Sequence, residues 1–62
     1  MKFIDLYVRI SLDTDVNVVR DGYIIKKIKR GTYWEDVDYD IRISSVEKIT
    51  AADFRTIEVT IH

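Results

Sequence analysis

"VNVVRDGYIIKKIKRG", Val16 to Gly31, is the stretch whose reading decides the fold. Asp21–Gly22 stands between two apolar runs. A two-residue type I′ turn needs positive φ at both central positions, and Asp-Gly is one of the pairs that accept it. Residues 16–20 therefore read as a strand and 23–29 as its returning partner, closed by Gly31. The partner is irregular, because Ile24, Ile25 and Ile28 do not alternate. Either a bulge lies near Lys26–Lys27 or both faces of the strand are partly covered.

Upstream, "DTDVNVVRDG" (Asp13 to Gly22) has the look of a calcium loop, with Asp13, Asp15, Asn17 and Asp21 as oxygen donors. An EF-hand loop needs Gly at its sixth position and a bidentate Glu at its twelfth. Val18 and Ile24 occupy those places. The stretch reads instead as a turn at Asp13-Thr14-Asp15, whose side chains bond the nearby backbone, followed by the strand.

Downstream, "TYWEDVDYD" (Thr32 to Asp40) is polar and aromatic. It reads as a loop or one helical turn, with Thr32 as N-cap and Glu35 three residues on, as in a capping box. "IRISSVEKIT" (41–50) reads as a strand kinked near Ser44–Ser45, since Ile41 and Ile43 share a phase that Val46 and Ile49 do not. "AADF" (51–54) turns the chain. "RTIEVTI" (55–61) is a final strand, Ile57, Val59 and Ile61 inward and Glu58 and Thr60 outward. The opening "KFIDLYVRISL" is ambiguous. Ile4, Leu6, Val8, Ile10 and Leu12 alternate as in a strand, while Phe3, Leu6, Tyr7 and Ile10 lie on one helical stripe.

Sixty-two residues make a single small domain, residues 1–62. Such a chain buries only ~60% of the surface it exposes when unfolded, and a core of this size supplies about 3–5 kcal/mol. With no cysteine there is no disulfide and no thiolate metal site. Apolar residues at 47% exclude a disordered chain. No run spans a membrane and no secretory leader is visible, so the expected location is the cytoplasm. A net charge of −1 gives no global field toward nucleic acid.

From the turn onward the order of parts resembles a class of very small, β-rich accessory proteins of phages, prophages and mobile elements of Gram-positive bacteria. The matching pieces are "DTDV", "RDGYIIKKIKRG", "TYWEDVDYD", "VEKI" and "TIEVTI", which together with the N-terminal segment cover residues 3 to 61. The resemblance implies a helix for residues 3–10, against the alternation there. It implies a bacterial host cell as the setting and a host or phage protein as the partner. The charge of "KKIKR" and the Trp of "TYWED" depart from the pattern.

Catalysis has little to stand on. The only imidazole, His62, is terminal, and Ser11, Ser44 and Ser45 lack a nucleophile-elbow context. The expectation is no enzyme, no cofactor and no metal. Asp36, Asp38 and Asp40 would share one face of a strand and hold a hard cation weakly, but a solvated acidic edge is the simpler reading.

Two clusters remain. Tyr33, Trp34, Glu35, Asp36, Asp38 and Tyr39 combine aromatic rings, which dominate protein–protein hot spots, with carboxylates that steer a basic partner. The bland alternative is that Trp34 folds back to plug one end of the sheet and that Glu35 and Asp36 are merely solvated. Lys26, Lys27, Lys29 and Arg30, between Tyr23 and Tyr33–Trp34, are the alternative site, for single-stranded nucleic acid. The bland reading there is an edge strand kept soluble by lysines.

The expected fold is α+β. A short N-terminal helix packs on a four-stranded, mostly antiparallel β-meander at about 15–20, 23–30, 41–49 and 55–61. The runner-up is all-β with five strands. The expected function is a non-catalytic, protein-binding accessory factor, in one form an inhibitor of a host defence or nucleic-acid-handling protein. The alternatives are a nucleic-acid-binding protein and a self-assembling structural protein. Exposed sheet edges make a homodimer the other expected association.

Overall fold

Tyr7 is the hinge of the helical layer. A computed structural model covering residues 1–62 places it on α1 (Phe3–Ile10), wholly buried and stacked on Phe3 with ring centres 5.5 Å apart. The helical stripe of Phe3, Leu6, Tyr7 and Ile10 therefore wins over the alternation. Phe3 and Tyr7 enter the core, and Leu6 and Ile10 pack against it half-buried. Asp5 in the first turn and Arg9 in the last complement the helix dipole. The Asp5 carboxylate also accepts the Lys2 N–H, at 3.3 Å.

Four strands follow: β1 (Asp15–Arg20), β2 (Tyr23–Ile28), β3 (Val46–Asp53) and β4 (Thr56–Ile61). The Asp-Gly turn forms as its chemistry requires, with φ of 54° at Asp21 and 83° at Gly22. The irregularity of the returning strand is a bulge. Val18 faces Lys26 and Val19 faces Ile24, which leaves Ile25 as the extra residue.

The α+β class holds, but the sheet is mixed and its order, β2-β1-β4-β3, is not that of a meander. Two antiparallel hairpins lie side by side, and β1 runs parallel to β4, with Val16 beside Ile57 and Val18 beside Val59. The reason is burial. In a meander β2 would be central and would put Lys26 and Lys27 between neighbours. Here the centre goes to the apolar ribbons: Val16, Val18, Val59 and Ile61 are almost completely buried. All of β2 except Ile28 stays exposed at the edge.

The third strand is displaced from 41–49 to 46–53. Residues Tyr39–Arg42 form one helical turn, α2, which buries Ile41 and leaves Ile43 outside. Ser44–Ser45 marks the end of this turn rather than a kink in a strand. "AAD" belongs to β3, and Phe54–Arg55 make the turn.

The expected capping box at Thr32 is absent. A short 3-10 turn, Trp34–Asp36, begins after Tyr33 without a side-chain cap. The Thr32 carbonyl accepts the Tyr7 hydroxyl instead, at 2.8 Å.

The helical layer, together with Val37, covers one face of the sheet. The other face is bare, and register sets Lys27, Asn17, Glu58 and Thr50 in one row across all four strands. The molecule measures 24 × 24 × 18 Å. No helix is long and apolar enough to cross a membrane.

Candidate functional site

The segment Thr32–Arg42 is held by two apolar pegs. Val37 and Ile41 are 2% and 3% exposed and reach the core from opposite ends of the segment's second half. Between and before them the backbone closes on itself. Asp36 N donates to Tyr33 O and Val37 N to Trp34 O, while Ile41 N and Arg42 N both donate to Asp38 O. The bond from Tyr7 to Thr32 fixes the start of the segment to α1.

With the pegs inward, the remaining side chains turn out. Tyr33 is 68% exposed, Tyr39 66% and Trp34 40%. Trp34 is therefore not the plug of the sheet; Val37 and Ile41 fill that role. Smaller branched side chains fit the thin space between α1 and the sheet, where an indole would force the layers apart.

Arg42, which sequence reasoning did not single out, organises the surface. Its guanidinium lies 5.3 Å from the centre of the Trp34 ring and 5.4 Å from that of Tyr39. Its Nε donates to the Val37 carbonyl at 3.0 Å. One cation thus positions two rings, each contact worth about 0.5–1 kcal/mol at an exposed site. The three-residue spacing of Tyr39 and Arg42 on a helical turn was the available sequence signal.

Glu35, Asp36, Asp38 and Asp40 are exposed around these rings, four carboxylates against one guanidinium. A groove of about 340 Å³ adjoins, lined by Val8, Ser11, Leu12, Gly31, Thr32, Tyr33 and Trp34. Arg42 joins Trp34 and Tyr39, and the groove joins Tyr33 and Trp34 to the exposed end of α1, while Asp36 lies beside the lysines. Such a surface can dock an apolar side chain in the groove and attract cations at its rim.

The basic residues are divided. Lys26 faces Val18 and so points to the helical side; Lys27 faces Asn17 and points to the bare side. Lys29 and Arg30 follow the end of β2, where the Arg30 N–H is held by the Asp15 carboxylate at 2.7 Å. Lys26, Lys27 and Lys29 nevertheless line one shallow depression, with Asp36 among them, and that carboxylate weakens their pull on phosphate. No group of three acidic or histidine side chains converges as a metal site. Asp36, Asp38 and Asp40 are spread along a 3-10 turn, a cap and a helix, not along one strand face.

Burial pushes the Tyr7 phenol above its ordinary value. Its hydroxyl faces a backbone carbonyl inside the packing and serves as a fastening.

Comparison with family models, with curated proteins and with solved structures finds no match for this chain.

Proposed function

We infer that the protein is a non-catalytic binding factor that docks a partner protein on the surface formed by Tyr33, Trp34, Glu35, Asp36, Asp38 and Tyr39, with Arg42 as its brace. One observation carries this reading. Three aromatic rings stand at the surface on a segment whose own anchors, Val37 and Ile41, are buried. The buried core does not include these rings, and Arg42 holds two of them in place. Preorganised aromatics lose little entropy on binding. The partner is a basic, partly apolar protein surface, by charge complementarity with the surrounding carboxylates. The resemblance to small phage and mobile-element proteins supplies the biological setting: a host or phage protein as target, in one form a host defence or nucleic-acid-handling protein that the factor inhibits.

The test is capture from lysate of a Gram-positive host. The unchanged chain should retain a stoichiometric protein. A Trp34→Ala/Glu35→Lys/Asp36→Lys variant should lose it, and a Lys26→Ala/Lys27→Ala variant should keep it. Retention by the first variant, or loss only with the second, would overturn the reading.

A further inference from the structure

The two edges of the sheet are built differently. β2 sends Lys26 and Lys27 to opposite faces and bulges at its centre, Ile25, whereas the irregularities of β3 lie toward its ends; a central bulge and paired lysines discourage another strand from pairing. β3 is the longer edge, with eight residues, and everything from Glu47 to Asp53 is exposed. Its middle, Ile49-Thr50-Ala51-Ala52, carries no charge and no proline, and its last three side chains are small. Ile49 lies opposite Val59 and Ala51 opposite Ile57, so both point to the helical side. The helical layer does not reach them: Ile49 is 47% exposed while Val59 beside it is fully buried. The N-terminal segment takes the start of this edge, with Val46 N donating to Met1 O, and beyond it an apolar strip and the backbone groups from Glu47 onward are left open.

We propose that this edge pairs antiparallel with β3 of a second copy of the chain, about a two-fold axis at Ile49. Charge and apolar pairing together select the register. For both helical layers to lie on the same side, the axis must pass through a pair of identical residues. Centred on Lys48, two ammonium groups would oppose each other. Centred on Thr50, Glu47 would oppose the second copy's Asp53, twice. Centred on Ala51, no like charges meet, but Ile49 would face the second copy's Asp53, twice, and the axis would sit beside the irregularity at Ala52. Centred on Ile49, Ile49 meets its own copy, Lys48 meets Thr50 and Glu47 meets Ala51, so no like charges face each other and the apolar residues meet. Ile49 also lies in the regular stretch Lys48–Ala51, between the two irregularities of β3. The product is a continuous eight-stranded sheet with one aromatic and acidic surface on each half.

The experiment measures mass in solution by sedimentation and light scattering across a wide concentration range. The mass should rise toward that of a dimer. Ile49→Lys, which sets two ammonium groups face to face, should abolish the rise while leaving the circular dichroism spectrum unchanged. The chain has no cysteine, so single-cysteine variants give a second measurement that does not depend on Ile49→Lys folding. Opposed Cβ atoms across paired strands lie ~4.5–5.5 Å apart, a small adjustment from disulfide geometry. Mild oxidation should cross-link Ile49→Cys and leave Lys27→Cys, on the other edge, monomeric. A monomer at the highest concentration, undiminished dimer in Ile49→Lys, or equal cross-linking through Lys27→Cys would overturn the proposal.

Discussion

The guanidinium of Arg42 lies 5.3 Å from the centre of the Trp34 ring. This contact joins the helical turn α2 to the 3-10 turn before it and sets the attitude of the only indole in the chain. Arg42→Ala removes two cation–π contacts and the hydrogen bond to Val37. The expected loss is about 1–2 kcal/mol. Urea unfolding measures it, and the emission of Trp34 should move to the red as the ring gains freedom and water. Unchanged emission would mean that Arg42 does not position the ring.

Ile41 carries the opposite duty. Ile41→Ala should cost about 2–5 kcal/mol, as much as a domain of this size holds in reserve. The variant is expected to be largely unfolded at room temperature by circular dichroism. Tyr39→Ala, two residues away and exposed, should cost ~1 kcal/mol through its contact with Arg42. Similar losses at the two positions would remove the distinction between peg and platform.

The turn at Asp21–Gly22 gives a backbone prediction. A side chain at Gly22 would meet nothing within 4 Å, so its cost is that of φ at 83° alone. Gly22→Ala should lose about 1–2 kcal/mol, and Asp21→Gly should lose far less, or gain, because φ is 54° there too. Thermal unfolding of the two variants decides the order.

Tyr7 sets an alkaline limit. Its phenol titrates above the ordinary value near 10 because burial disfavours the phenolate. Above that value the unfolded chain releases this proton while the folded chain keeps it. The folded state then binds more protons, so stability falls as pH rises. The contribution is complete below pH ~10 and is lost as pH climbs through the raised folded value. Tyr7→Phe should cost about 0.5–1.5 kcal/mol at neutral pH through the bond to Thr32 and should flatten the alkaline decline. A decline of equal steepness in Tyr7→Phe would assign it elsewhere.

What could be read from the sequence followed the strength of local signals. The Asp-Gly turn and the alternation of Ile57, Val59 and Ile61 placed β1, β2 and β4 almost to the residue. The residues 3–10 helix came from resemblance, since its apolar positions fit both periods. β3 was misplaced because Tyr39–Arg42 is a single turn, too short to display a helical period, and Ile41 and Ile43 imitate a strand. The parallel pairing of β1 with β4 was missed for a different reason. Lys26 and Lys27 marked β2 as an edge, yet a meander would have placed it inside the sheet. The aromatic and acidic residues were recognised as a group, but their brace was not, because the contact of Arg42 with Trp34 is made only once the chain has folded.

The most direct measurement follows the emission of Trp34 during titration with the protein captured from lysate. If the proposed docking surface is correct, the emission should change saturably, with an endpoint at one partner per platform. Arg42→Ala should weaken that binding, and Lys26→Ala/Lys27→Ala should not. Saturable binding that leaves Trp34 emission unchanged would place the interface elsewhere and contradict the account.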